Sequence, residues 1–251
     1  MNTATAEKPE TLNYSEMIKG KICGFGADLV GIADIEPLKG LRTDPPGLLD
    51  SFTRAVSIAV KLPVAVFEQI VDRPTPIYKS AYTTANLILD EIAFRAAIFL
   101  QNDGFPSLPI PASQVLDTEN WYAAISHKAV ARMAGLGWQG KNLLLITPQY
   151  GSRVRLATIL TTAPLDVDGP VKNRCGDCTA CFDACPAQAI KGVNTQTHYN
   201  SRNEAMHFSR CVEKVTGEFA NIPEVGVPIC GICIKVCPFG RKMHGKETDK
   251  K

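Results

Sequence analysis

Eight of the nine cysteines in this 251-residue chain fall in its last third, with the spacing of metal ligands. Cys175, Cys178, Cys181 and Cys185 read C-x2-C-x2-C-x3-C, with Pro186 directly after them. Cys230, Cys233 and Cys237 read C-x2-C-x3-C, with Pro238 next, and Cys211 stands alone between the two groups. The first run has the spacing of a bacterial two-cluster ferredoxin, whose fourth cysteine ligates the other cluster. Eight thiolates are what two four-cysteine [4Fe–4S] cubes require, and the chemistry of such cubes is one-electron transfer.

Geometry divides the ligands. A C-x2-C-x2-C loop wraps three corners of one cube, and the next cysteine points away from it. One cluster therefore takes Cys175, Cys178, Cys181 and the distant Cys237; the other takes Cys230, Cys233, the displaced Cys185 and the lone Cys211. The prolines turn the chain after each crossing cysteine. Two all-cysteine zinc sites would show separated pairs instead of a four-cysteine run. Disulfides fit less well still: the opening residues MNTATAEKPETL lack the apolar core of a signal peptide, so a reducing, cytoplasmic setting is expected. Cys23, near Ile22 and Phe25, reads as a small buried hydrophobe.

The elements that must position these thiols are legible in part. Met17, Ile18, Ile22 and Phe25 have helical spacing over residues 15–26, and a short strand follows over 28–33. Residues 55–62 read as a strand ended by Pro63. Ala81, Ala85, Ile88, Ile92, Ala96 and Phe99 make one apolar face of a long helix over 79–101, closed by Gly104. Residues 108–112 read as a strand that Pro109 and Pro111 push to a sheet edge. A helix is expected over 123–134, and strands over 143–147 and 154–161 around the turn 148–152. Proline-rich loops at 42–47 and 72–76 are candidates to line a pocket. The mixture predicts an α+β chain: a tail over 1–13, an α/β cofactor-binding domain over 14–165, then a small ferredoxin-like domain over 166–245 carrying both clusters.

Composition is that of an ordinary globular protein. Apolar residues make up 45% and charged residues 21%, and a net charge of +2 gives no electrostatic case for nucleic acid. The longest apolar runs are too short to span a bilayer, so no membrane partner is expected. The basic C-terminal end (Arg241, Lys242, Lys246, Lys250, Lys251) reads as a solvated tail.

A bare electron carrier would need only the last third of the chain, so the rest should hold a redox partner. The segment 134–142, AGLGWQGKN, is the candidate cofactor site. Gly135, Gly137 and Gly140 permit close backbone approach, Trp138 offers a flat apolar wall, and Lys141, followed by Asn142, a fixed positive charge. The glycine spacing is not a dinucleotide fingerprint.

The run AGLGWQGKNLLLITPQYGSRVRLATILT (134–161), with CGDCTACFDACPAQAI (175–190), CGICIKVCPFG (230–240) and GADLVGIADIEPL (26–38), resembles the epoxyqueuosine reductase family, relatives of the reductive dehalogenases. That resemblance implies a cobalamin-binding domain of nitroreductase-like architecture, in which two [4Fe–4S] clusters feed single electrons to cobalt and a nearby acid supplies a proton. The family's catalytic aspartate lies in a D-T-x-P-x-x-E segment before AGLGW. Here Asp117-Thr118-Glu119-Asn120 lacks the proline and sits too far upstream. Asp117 is the first candidate acid, with Glu119 and His127 as alternatives. The family's L-G-E-I is here Leu156-Ala-Thr-Ile159, which removes a pocket carboxylate. Only fourteen residues follow Cys237, so a short form without the helical-repeat domain is expected, and tRNA is doubtful as a partner.

Three readings follow. The first is a corrinoid-dependent reductase of a small molecule or modified nucleoside, served by a low-potential donor of ferredoxin or flavodoxin type. The second is an electron-transfer or reductive-activation protein for a partner such as a corrinoid protein, with no tight organic cofactor. The third, an FMN enzyme, has no positive sequence feature in its favour.

Overall fold

The computed structural model describes residues 13–240; residues 1–12 of the tail expected over 1–13, and the basic residues from Arg241 onward, lie outside the described residues. The chain runs α1 (Tyr14–Gly24), β1 (Leu29–Asp34), β2 (Arg54–Lys61), α2 (Val64–Glu68), α3 (Pro76–Asn102), β3 (Ser107–Ile110), α4 (His127–Met133), β4 (Trp138–Gln139), β5 (Leu145–Ile146), β6 (Val154–Thr161), α5 (Ala180–Asp183), α6 (Arg202–Ala205), α7 (Phe208–Glu213), a π-helical turn (Lys214–Phe219) and α8 (Ile232–Lys235).

The main sheet has the order β1-β2-β6-β3 with every pairing antiparallel. Its central strands are buried on both faces, and the period of two sorts their side chains between two layers. Val56, Ile58, Val60, Ala157 and Ile159 face α1 and α3, packing on Ile18, Ile22, Leu89, Ile92 and Ala96. Ala55 and Leu160 face the other way, onto Val130 and Ala134 at α4. Ala59, Leu156 and Ala131 join Leu136 and Leu145 beside the β4–β5 hairpin. Mixed α/β layers on an antiparallel sheet are the α+β class expected.

Two assignments hold for local reasons. Thr75 caps α3, its hydroxyl accepting from the Tyr78 N–H at 3.2 Å, and Pro76 occupies the first turn, where no N–H is missed. β3 is an edge strand with Pro109 inside it, as proline requires. Three expectations change. The helix expected from 123 begins only at His127, because Ser126 caps it. The strand expected over 143–147 shrinks to two residues, which pair with Trp138–Gln139 as a hairpin separate from the main sheet. Cys23 is exposed: Ile18 and Ile22 take the core face of α1, and the next residue is turned some 100° away from it.

The cysteine-bearing segment is seated on this body. Val225, Ile229 and Ile232 enter the main core beside Ile70 and Tyr78. Arg153, 2% exposed, donates to the carbonyls of Ile234 at 3.2 Å, of Cys237 at 3.3 Å and of Phe239, clamping the last cysteine loop to the start of β6. Lys235 donates to the Ile70 carbonyl from the other side.

Candidate metal centres and the adjoining cavity

Cys175, Cys178, Cys181 and Cys237 line one small cavity of about 30 Å³, together with Gly140, Lys141, Asn142 and Ile146. This is the first ligand set read from spacing. Trp138, 1% exposed, donates its indole N–H to Cys175 Sγ at 3.3 Å and packs edge-on against Phe239, with ring centroids 4.9 Å apart. Lys141 is buried and donates to the Cys178 carbonyl at 3.0 Å. Asn173 fixes the loop entrance, accepting from the Cys175 N–H at 2.8 Å and donating to the Gln139 carbonyl at 3.1 Å.

The second set is assembled from three chain segments. Cys185, Cys211 and Cys233 pack with Leu143, Ala189, Tyr199 and Phe208, and Cys230 enters from the main core. The Ala189 N–H donates to Cys185 Sγ at 3.3 Å. Burial, then neighbouring thiols, push Cys181 and Cys230 up to about 11 and raise Cys211 and Cys233. Cys185 helps to raise Cys211, and Cys230, Cys211, Cys181 and Cys185 help to raise Cys233, whereas Cys181 feels Cys175, Cys178 and Cys237. Thiols gathered so closely out of water fit a bound cation that takes their protons' place. Among the described residues no three His, Cys, Asp or Glu side chains close tightly enough for a single metal ion.

The AGLGW segment takes a different place from the one expected of a ligand-facing loop. Ideal Cβ atoms built at Gly137 and Gly140 would lie 2.2 Å from the Ile146 carbonyl and 2.7 Å from the Ile146 side chain. Gly135, at φ +73°, ends α4 and lies against Gly169. Close approach here is by the protein's own chain. Trp138, Gly140, Lys141 and Asn142 wall the first thiol set, while Gln139 and Leu143–Leu145 face the other way, into a second cavity.

That second cavity, about 610 Å³, lies between α4, the hairpin and the loops around Arg42, Tyr122 and Arg202. Leu143 and Phe208 belong both to its wall and to the apolar cluster around Cys185, Cys211 and Cys233, and Ile234 follows Cys233 directly. Leu143 and Trp121, both in the wall, hold φ near +58° and +57°. Bulky side chains rarely adopt that region, and such strain concentrates at functional sites. The first proline-rich loop reaches the cavity through Arg42; residues 72–76 lead into α3 instead.

None of the three candidate acids stands ready in this cavity. Asp117 is absent from its wall: it accepts from the Asn120 backbone at 2.8 Å and pairs with Arg42 at 2.7 Å, which together hold its carboxyl down to about 2. Glu119 is also absent from the wall. His127 does line it, yet Nδ1 bonds the Thr158 hydroxyl at 2.9 Å and Nε2 the Pro111 carbonyl at 2.8 Å, and burial pushes it down to about 4. Sequence reasoning placed the 42–47 loop at a pocket but missed the other cations of the wall, Lys128, Arg132, Arg155 and Arg202, of which only the first two are neighbours along the chain.

Fold and thiol geometry together define a two-cluster iron–sulfur protein: residues 174–240 match the 4Fe-4S double cluster binding domain, and the chain carries the ligands of two [4Fe–4S] clusters. About half of the chain is also similar in sequence to epoxyqueuosine reductases. That of Leadbetterella byssophila is 37% identical over 136 residues, covering 51% of this chain and 41% of the relative. That of Bacillus subtilis is 35% identical over 129 residues, covering 48% of this chain and 31% of the relative. The matched region thus spans well under half the length of these relatives. Among solved structures, the catabolic reductive dehalogenase NpRdhA in complex with 3-bromo-4-hydroxybenzoic acid shares the fold at TM-score 0.73 and 22% identity, covering 90% of this chain and 32% of that one. An epoxyqueuosine reductase bound to an epoxyqueuosine-modified tRNA stem loop shares it at TM-score 0.60 and 24% identity, covering 90% and 64%. Among the described residues no helix is long and apolar enough to cross a membrane.

Proposed function

We propose that the protein is an oxidoreductase whose clusters carry single electrons to the larger cavity, where a corrinoid is the cofactor and a substrate is reduced. The observation that carries this reading is the wall shared by the second thiol set and that cavity, through Leu143 and Phe208. Held by the two thiol sets, the clusters would supply one-electron transfer, and the second set would stand beside the cavity wall.

A volume of about 610 Å³ suits an organic cofactor, and the wall mixes apolar and polar groups as such sites do. Leu38, Leu41, Ile125, Met133 and Leu156 would hold the apolar face of the ring, with Arg155, Arg202 and His198 reaching its amide and phosphate groups. When bound, a corrinoid supplies low-potential cobalt chemistry that no side chain can supply. The chain's own residues exclude water through the apolar wall and keep the cations oriented. Arg155 is fixed by Asn86 at 2.8 Å and Arg202 by the Asn120 and Trp121 carbonyls at 2.7 and 2.9 Å. The Tyr122 hydroxyl and the Lys128 ammonium are the protons that the wall can offer, and Asp117 steadies Arg42.

A nitroreductase-like arrangement of residues 14–165, a domain division at 165/166, a low-potential donor of ferredoxin or flavodoxin type and a cytoplasmic setting belong to the same reading. Anaerobic reconstitution with iron and sulfide, then titration with hydroxocobalamin, tests it by visible spectrum and cobalt EPR. One-to-one binding with loss of the lower-base signature is expected. Full iron loading without corrinoid binding would replace this reading with an electron-transfer protein that reduces a protein partner.

A further inference from the structure

The wall of the larger cavity contains five cationic side chains, Arg42, Lys128, Arg132, Arg155 and Arg202, and no aspartate or glutamate among the described residues. In a chain whose net charge is only +2, that is a sharp local imbalance. Arg42 is offset by Asp117, just outside the wall. Arg155 and Arg202 are held by neutral groups: an amide, carbonyls and the rings of Tyr82, Tyr122 and Phe208. These bonds fix the guanidinium planes without neutralising them.

Two cations remain less committed. Lys128 and Arg132 stand four residues apart on α4, so their side chains lie on one helix face, and both line the cavity. Like charges in that relation destabilise a helix. The one hydrogen bond from Arg132 is to the soft Met133 sulfur at 3.2 Å, and Lys128 forms no ion pair among the described residues. Cys211 and Cys233 lie close enough to act on Lys128, so a cluster there offsets part of its charge; neither acts on Arg132. Cations fixed in a cleft with low-dielectric walls focus their field onto whatever enters it.

We infer that the cavity recognises its substrate by an anionic oxygen group, a carboxylate or phosphate on a small organic molecule, seated between Arg132 and Lys128. This deepens the proposed reductase by naming its substrate class, and it rests on that reading for the reaction only. Arg42 and Lys128 are exposed, but Arg132, Arg155 and Arg202 are half-buried in the cavity wall, which favours a small acid over an RNA backbone. Arg132 is a binding residue: its planar fork suits two oxygens of one group, which a lysine cannot match.

The test uses the full chain with both clusters loaded. Calorimetry compares benzoate and phenyl phosphate with the uncharged benzamide and benzyl alcohol, and an RNA stem loop serves as competitor. The anions are expected to bind at least about tenfold tighter than their neutral counterparts, the scale of one charge-assisted hydrogen bond. Arg132→Gln should remove most of that preference and leave benzamide unchanged, while Arg132→Lys restores part of it. Unaltered visible cluster absorption certifies each variant. Should Arg132→Gln fail to load its clusters, the wild-type preference and the Arg132→Lys variant still decide. Equal affinity for charged and neutral probes overturns the inference, as does anion preference that survives Arg132→Gln. Displacement of benzoate by the stem loop at lower concentration than by free phenyl phosphate overturns the small-acid assignment. Hydroxocobalamin titration of the same samples separates the two ideas. Corrinoid binding without anion preference sinks this inference alone, and anion preference without corrinoid binding sinks the proposed reductase alone.

Discussion

β2 and β6 run side by side through eight residue pairs with both faces buried, whereas the α-helices of residues 174–240 run only four to six residues, α7 alone being continued, by the π-helical turn to Phe219. The strands, with α3 behind them, form a body that hydrophobic burial alone can hold. Helices of four to six residues are far below the length at which they persist unaided, so the cysteine segment must draw its order from elsewhere. Part comes from Ile229, Ile232 and the Arg153 clamp, and the rest from iron. One region is folded by its core and the other by its ligands. That is why the chemistry of the second could be read from spacing, and the chemistry of the first could not.

The difference breaks most visibly when iron is removed. Anaerobic chelation should raise amide hydrogen exchange across 174–240 towards that of an unfolded chain while β2 and β6 stay protected. Equal protection in both regions would show that packing alone orders the cysteine loops. The converse insult is Leu89→Ala, a fully buried side chain of α3, which should cost about 2–5 kcal/mol by chemical denaturation, with iron content per folded chain unchanged. Cys211→Ser sharpens the ligand partition. It should lose about half of the iron and alter only the EPR signal of the cluster on Cys230 and Cys233, since each cube has its own four ligands. Complete iron loss would mean that the two clusters fold as one unit.

A smaller effect separates the regions by pH. His127 is held neutral, its pKa depressed from about 6.5 to about 4, so the unfolded chain binds the extra proton between those values. Stability should therefore fall as pH drops through that window, and His127→Gln should flatten the fall between pH 6.5 and 5 in thermal melts; an unchanged slope would remove His127 as its cause. Asp117, depressed to about 2, contributes a loss only at lower pH and does not blur this window. The smallest effect is Trp138→Phe, which keeps the ring against Phe239 but deletes the N–H to Cys175. The potential of the first cluster should drop by the order of tens of millivolts in a redox titration, with the second unmoved.

Legibility follows the same divide. α3 was visible because its apolar face repeats every three to four residues along one continuous segment, and the edge position of β3 because Pro109 permits nothing else. The β4–β5 hairpin was not visible as such. A pairing of two residues carries no period, and Gly137 and Gly140 are packed close against Ile146. Cys23 was misjudged because residue type was weighed over its place on α1.

By itself the sequence pointed to two [4Fe–4S] clusters in the last third of the chain, where residues 174–240 match a double-cluster domain, because a cube takes thiolates at short spacings that survive in one dimension. Only the tertiary structure decided what the clusters face. Arg42, the α4 pair Lys128 and Arg132, Arg155 and Arg202 come from four separate stretches, and their shared sign has meaning only once the fold closes them around one cavity. Electrostatic fields add through space, and a sequence read along its length has no record of those distances.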